Sequence, residues 1–470
     1  MNFRFLKDEV YIKRRQALKS KVHSGVILLL GNHDAPMNYK DNTYRFRQDS
    51  TFLYFFGLDV AGLAAIIDCD SGEEIIFGND LTLDDIVWTG LLPTVKEMAT
   101  SVGVENSQNR NTLFEYLSKQ QQLKRDIHFL PPYRHDNIIF LYQALKIPVQ
   151  QIPDDASLSL IKAVISLRSI KDIHEIQELH QAANITAKMH LAAMTTTKPG
   201  MKEYEIVAAV HQEAINGGGD LSFPIILTVN GETLHNHYHG NTITDGQMIL
   251  CDAGAETDLH YAGDMTRTFP VGKSFSQKQK EIYQIVLNAH LSAVSMLKPG
   301  VMYKDVYIRA SEIIFDGLKG LGITKGDPAE AVQAGAHAMF FQCGLGHMMG
   351  LDVHDMEDLG EQYVGYDESI QKSTQFGMKS LRLGKKLEEG YVLTVEPGIY
   401  FIPTLIDQWE TQNLHREFIN YDRLEVYRDF SGIRIEEDFV ITSDGHQLLG
   451  NPLAKTIEDV EEIRRKSLEL

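Results

Sequence analysis

A chain of 470 residues exceeds what one ordinary hydrophobic core accommodates, so two domains are expected. Apolar residues at 43% and charged residues at 23% are the proportions of a soluble globular protein. The 45 basic and 64 acidic residues leave a formal charge of −19, which argues against nucleic acid or an anionic membrane as partner, because either needs a clustered basic surface.

The first residues, Met1 to Asp8, lack the apolar stretch and small-residue cleavage site of a signal peptide. No uncharged apolar run approaches the roughly 20 residues that span a bilayer. Cys69, Cys251 and Cys343 are too scattered for a disulfide framework or a cysteine zinc site, and they suit a reducing compartment. The expected location is the cytoplasm.

The apolar runs Val26 to Leu30 and Leu63 to Ile67 read as strands, and Asn111 to Gln122 as a helix, within an alternating α/β domain. Ser157 to Ile170 reads as a connecting helix. The expected boundary lies near it, giving domains 1–163 and 164–470. The second part carries a candidate repeat: Lys198-Pro199-Gly200 and Lys298-Pro299-Gly300 each follow one helical stretch and precede another. Glu205 and Asp305 follow at the same distance, then Ile206 and Val306. Lys-Pro-Gly is also an ordinary turn, so two related halves are an expectation for the fold to decide. Ser276 and Gln279 stand at capping-box spacing ahead of a helix with Ile282, Ile285, Val286 and Ala289 on one face.

Acids interrupt four otherwise apolar strands: Asp252 in Met248 to Gly254, Asp264 in Tyr261 to Thr268, Glu396 in Val392 to Gly398, and Glu436 in Gly432 to Phe439. An acid within an aliphatic strand must be exposed, paired or metal-bound. Glu256 to His260 can close a hairpin that sets Asp252 and Asp264 on one face of neighbouring strands, while Arg434 and Glu436 share another strand face. Two carboxylates about 4 Å apart repel by roughly 4 kcal/mol at an effective dielectric near 20, so convergence requires positive charge. Arg434 supplies one unit and divalent cations the rest. His347 and His354 lie in a glycine-rich segment, Gly344 to Asp355, and His235, His237 and His239 crowd together upstream, either at a ligand or on a surface loop. Four carboxylates and an imidazole, with no thiolate, suit two carboxylate-bridged ions and favour manganese over copper. Hydrolysis of an amide uses what such a pair offers.

In order and type, these segments resemble the pita-bread metallopeptidases, specifically aminopeptidase P and prolidase, the Xaa-Pro dipeptidase. The resemblance implies an α/β (α+β) protein: an N-terminal α/β domain plus a C-terminal pita-bread domain of two pseudo-symmetric halves. It implies two divalent ions per subunit, expected to be Mn2+. Asp252 would hold one, His347 and Glu396 the other, with Asp264 and Glu436 bridging. Glu396 would also carry the proton of the attacking water. His235 and His354 match catalytic histidines that contact substrate, and Tyr400 and Arg434 match supporting residues. Tyr44 to Ser50 with Phe52, Tyr54, Phe55 and Gly57 resembles the N-terminal domain of these enzymes. Trp88 matches a tryptophan that in relatives can reach a partner subunit's site, and the resemblance as a whole implies a homodimer or homotetramer. Two features depart from the pattern: the Asp252 to Asp264 interval is one residue longer, and Cys343 stands where relatives usually carry histidine. His237 or His239 is expected to make up that deficit.

The implied substrates are small peptides with proline in second position. The Tyr44 to Gly57 segment leans toward an Xaa-Pro aminopeptidase. Arg382, in Ser380-Leu381-Arg382, and the stretch Phe418 to Phe430 resemble prolidase, whose arginine binds a dipeptide's carboxylate. A third reading is a non-catalytic binding protein on the same fold, disfavoured because all five ligand positions are filled. Methionine aminopeptidase shares the fold but lacks the large N-terminal domain.

Overall fold

The run Val26–Leu30 is apolar at every position because it is the inner strand of a sheet covered on both faces. The structure, a computed structural model, describes residues 5–469. The chain divides into two compact units, one reaching Arg168 and including Met356–Tyr363, the other comprising Ser169–Asp355 and Val364 onward. The division falls after Arg168, at the end of the helix Leu158–Arg168, which packs as a single element of the first unit. Its Leu167 carbonyl accepts from the Tyr54 hydroxyl at 3.1 Å, and the Arg168 guanidinium donates to Thr51 Oγ1 at 2.9 Å.

In the first unit five strands lie in the order Asn106–Asn109, Glu74–Gly78, Ala64–Asp68, Val26–Leu30 and Ile127–His128. The three inner strands pair antiparallel and the two outer ones add in parallel. Val26, Leu28, Ile66 and Phe77 pack on one face with Leu113, Leu117 and Leu141 of two helices. The Tyr44 to Gly57 segment acts locally as a scaffold. Asp49 caps the helix Ser50–Phe56, and the buried Gln48 amide accepts from the Asn32 N–H and donates to the Leu58 and Val60 carbonyls.

The second unit bears out the repeat. Helices Ile173–Thr196 and Glu203–Asn216 pack as a pair beside the strands Ile226–Thr228, Met248–Ala253 and Met265–Pro270. Helices Gln277–Met296 and Tyr303–Gly320 pack alike, beside Val392–Val395, Glu437–Ile441 and His446–Leu448. Gly200 and Gly300 take φ of 92° and 87°, the left-handed turn each helix–helix junction requires. Their N–H groups bond Ile243 and Leu387 carbonyls, and bridges Lys202–Thr242 and Met302–Lys386 follow in register. Even the close packing repeats: a Cβ on Gly217 would strike Ile185, and one on Gly317 would strike Ile285. Ser276 forms the expected capping box with Gln279. Among the described residues no helix is long and apolar enough to cross a membrane.

The halves meet along Thr266–Glu436, an isolated bridge whose N–H from Glu436 reaches the Thr266 carbonyl at 3.1 Å. Arg267, fully buried beside it, donates to the Glu437 carboxylate at 2.6 Å and the Glu436 carbonyl at 2.8 Å. This seam is where the interrupting acids gather.

The first unit carries its own electrostatic clasp. Arg125 grips Asp68 with two bonds of 2.7 and 2.6 Å, and the Asp70 and Ser71 N–H groups add 2.9 and 3.0 Å. The Arg125 bonds, with those N–H groups, hold the Asp68 carboxyl down at about 2 against the opposing effect of burial. A depressed carboxylate contributes stability above its unfolded value near 3.8, lost as pH falls toward 2. Asp68→Asn is therefore expected to cost about 1–3 kcal/mol at pH 7 in urea unfolding. The gap from wild type should narrow at pH 3, and an unchanged gap would contradict the clasp.

Candidate metal centre

Strand Met248–Ala253 pairs antiparallel with Met265–Pro270 so that Asp252 faces Thr266. Asp264, two residues before Thr266, therefore projects to the same side as Asp252. The connection is more elaborate than a bare turn: Ala255–Glu256 forms a short strand against Asp220–Leu221, and Thr257 to His260 closes the loop with His260 at a φ of 66°. The extra residue in the Asp252 to Asp264 interval is thus accommodated without disturbing the register.

Glu396 sits between strands Val392–Val395 and Gly398–Tyr400, its N–H fixed to the Leu345 carbonyl at 2.8 Å. His347 is strapped to the first of these strands: its N–H reaches Thr394 Oγ1 at 3.2 Å, and its carbonyl accepts from Thr394 N–H at 3.1 Å. Glu436 follows the strand Gly432–Arg434, whose other end pairs with Tyr400. These elements surround a cavity of about 230 Å³. Asp252, Asp264, His347, Glu396 and Glu436 all line it, with His235, His237, His354, Cys343 and Arg434.

Asp264, His347 and Glu436 each bring a ligand atom within 4.8 Å of the others. His347 Nε2 lies 3.4 Å from Asp264 Oδ2 and 3.9 Å from Glu396 Oε1. Its Nδ1 is 3.1 Å from the Met348 carbonyl, which can only accept, so Nδ1 carries the hydrogen and Nε2 presents a lone pair. Burial holds this imidazole well below its usual range, hence neutral. Burial, then the charges of Glu436, Asp252, Asp438 and Glu396, push the Asp264 carboxyl far up. Burial and then Glu396 do the same to Glu436. Burial raises Glu396 to about 7 against the pull of Arg434.

Asp252 Oδ1 and Asp264 Oδ1 are buried without a hydrogen-bond partner. Orphaned carboxylate oxygens beside a neutral imidazole lone pair form an oxygen-rich donor set that divalent cations fit. Arg434 is the internal counter-charge. It bonds Asp252 Oδ2, Thr266 Oγ1 at 3.0 Å and the Tyr400 hydroxyl at 2.9 Å. Thr266 then donates to Glu436 at 2.6 Å.

Several placements refine the sequence reading. His354 lies against His347, with ring centroids 4.1 Å apart and planes tilted by 58°, and His235 and His237 stand exposed along the cavity. His239 instead reaches the Ile225 carbonyl at 3.2 Å and does not line the cavity, leaving His237 alone as the candidate replacement imidazole. The Cys343 thiol lines the cavity 3.9 Å from the Tyr400 hydroxyl, and burial pushes it up to about 12. Tyr400 is buried behind Arg434 rather than in the cavity wall. Arg382 is half-buried and outside that wall, with its positive charge still felt at Glu396 and His347. Trp88 is 86% exposed on the helix Leu83–Thr89 of the first unit and is not among the cavity's lining residues.

Two residues went unassigned in the sequence. Asp438 accepts the Asp264 N–H at 3.0 Å, and Thr266 links Arg434 to Glu436. The run Glu436-Glu437-Asp438 signalled more buried acid than a ligand set needs, but threonine beside a ligand carries no such signal.

A cluster of buried acids thus lies on a seam between two similarly built halves, a donor set suited to divalent metal. The sequence pattern of metallopeptidase family M24 matches residues 177–443, and that of the aminopeptidase P N-terminal domain matches residues 11–128. The chain belongs to metallopeptidase family M24. It is 30% identical over 454 residues to Xaa-Pro dipeptidase of Rattus norvegicus, covering 93% of this chain and 88% of that one. It is 31% identical over 446 residues to a probable Xaa-Pro aminopeptidase of Botryotinia fuckeliana, covering 94% and 93%. A histidine-to-alanine variant of Escherichia coli aminopeptidase P superposes with a TM-score of 0.82 at 28% identity, over 99% of this chain and 100% of that one.

Because the acids repel one another, Glu436→Gln, which keeps the acceptor for Thr266, is expected to stabilise the chelated protein by on the order of 1 kcal/mol. The same change should abolish most of the gain expected of wild type with an added divalent cation, about 2.7 kcal/mol at a hundredfold excess over Kd. Thermal unfolding with and without chelator measures both. A destabilised variant that keeps the full metal gain would contradict the cluster.

Proposed function

We propose that this protein is a metal-dependent exopeptidase that hydrolyses the bond between an N-terminal residue and a following proline. The observation that carries the reading is the convergence of Asp252, Asp264, His347, Glu396 and Glu436 on one cavity. Those five residues would hold two divalent ions, expected to be manganese, which when bound supply an activated water and stabilise charge developing on the scissile carbonyl.

The chain's own groups account for the rest. Glu396, whose carboxyl lies at about 7 without a cation, takes the proton of the attacking water and passes it to the leaving proline nitrogen. His235 and His354 offer imidazole N–H groups to the substrate oxygens. Phe223, Pro224, Ile226, Leu234 and Val353 give the same cavity an apolar side suited to a pyrrolidine ring. Arg434 pairs with Asp252 and holds it aligned while Tyr400 steadies the guanidinium from behind. With Cys343 held as a neutral thiol, His237 serves as the additional substrate-contacting imidazole.

The aminopeptidase reading is supported by the likeness to Escherichia coli aminopeptidase P over nearly the whole chain. The dipeptidase reading is favoured by Arg382, whose positive charge is felt at Glu396 and His347.

Release of the first residue from Arg-Pro-Pro and of proline from Gly-Pro, each with manganese and with chelator, decides between them. The expected result is metal-dependent cleavage of the tripeptide. Cleavage of Gly-Pro alone would make it a dipeptidase, and cleavage of neither would favour a binding protein. Glu396→Gln should lower kcat by about 10²–10⁴-fold. His237→Ala should lower kcat/KM roughly tenfold, the worth of one hydrogen bond, and His239→Ala should leave it unchanged. Silence of both histidine variants would remove His237 from the site.

A further inference from the structure

We infer that Lys171 and Asp355 form a buried ion pair that positions His354 against the substrate, an inference that rests on the peptidase reading above. Lys171 Nζ donates to Asp355 Oδ2 at 2.9 Å, and the two side chains are 0% and 1% exposed. Neither residue lines the cavity, so neither touches substrate.

The pair is fixed at both ends. The Lys171 N–H bonds the Gly390 carbonyl at 2.9 Å, at the turn that feeds the strand Val392–Val395 ahead of Glu396. The Asp355 N–H bonds the Met348 carbonyl at 2.9 Å and closes the loop that begins beside His347. Within that loop the Gly350 N–H reaches the Asp352 carbonyl at 3.1 Å, and the Gly350 carbonyl accepts from Ala262 N–H at 2.9 Å. The Asp355 carboxylate fills the loop's interior so closely that a Cβ on Gly350 would lie 2.4 Å from Oδ2. His354 immediately precedes this anchor and presents its ring to the cavity beside His347.

A fully buried ion pair contributes little net stability over an apolar pair of the same shape, because desolvation offsets the Coulomb gain. What it supplies is a single permitted geometry. Here the charge that fixes the His354 loop also ties it to the backbone that carries Glu396. Lys171 and Asp355 are therefore positioning residues acting through His354.

A double-mutant cycle with His354 tests this. Lys171→Met, checked for native circular dichroism and for manganese affinity within twofold of wild type, is expected to lose about a hundredfold in kcat/KM on Arg-Pro-Pro or Gly-Pro, whichever wild type cleaves. In the His354→Ala background the same change should cost less than twofold more, because the group it positions is gone. If Lys171→Met does not fold, Asp355→Asn, which keeps the shape and an acceptor for the ammonium, is carried through the same cycle. A folded variant with unchanged kcat/KM, or losses that simply multiply with those of His354→Ala, would overturn the inference. Wild type that cleaves neither peptide would instead overturn the peptidase reading.

Discussion

Like charges resist being buried together, and the second unit places Asp252, Asp264, Glu396 and Glu436 around one cavity of about 230 Å³. Desolvation and mutual repulsion both drive the Asp264, Glu396 and Glu436 carboxyls toward protonation, and the guanidinium of Arg434 offsets only part of that. Much of the surrounding architecture follows from the need to hold the acids in place. The Thr266–Glu436 bridge pins one half to the other, Asp438 secures the Asp264 backbone, and Arg267 neutralises Glu437 just behind the seam. Such an arrangement stores electrostatic strain that a bound divalent cation would relieve, which would couple folding of the site to metal binding.

The repeat explains how one cavity comes to be lined from two sides. Each half contributes an antiparallel sheet flanked by a helix pair, and the acids lie where the sheets approach each other. Asp252 and Asp264 come from the first half, while Glu396 and Glu436 come from the second. Two buried histidines in corresponding helices, His190 and His290, mark the same kinship away from the site. Burial lowers both, so each serves as a neutral core side chain.

The parts of this plan that could be read from sequence were those with a local signature. An acid inside an aliphatic run is conspicuous because burial penalises it, and Lys-Pro-Gly is conspicuous because it stops one helix and starts another. Both signals led to the right segments, although only Asp252 lies within a strand, while Asp264 precedes one and Glu396 and Glu436 each fall between two. The capping box at Ser276 was readable for the same reason. What escaped was created by contacts between distant segments. Thr266 is ordinary until Arg434 and Glu436 arrive on either side of it, and the pairing of Lys171 with Asp355 spans |i−j|=184. His237 and His239 look equivalent in the sequence, yet only the former lines the cavity, because the Ile225 carbonyl engages the latter. Arg382 and Trp88 were nominated by resemblance alone, and neither lines the cavity.

The proposed catalysis depends on cations that five side chains, far apart in sequence, would grip together. Anomalous X-ray diffraction from crystals grown with manganese locates those ions directly. Two anomalous peaks among Asp252, Asp264, His347, Glu396 and Glu436 are the expected result. A cavity without manganese, or manganese bound only outside these five residues, would contradict it.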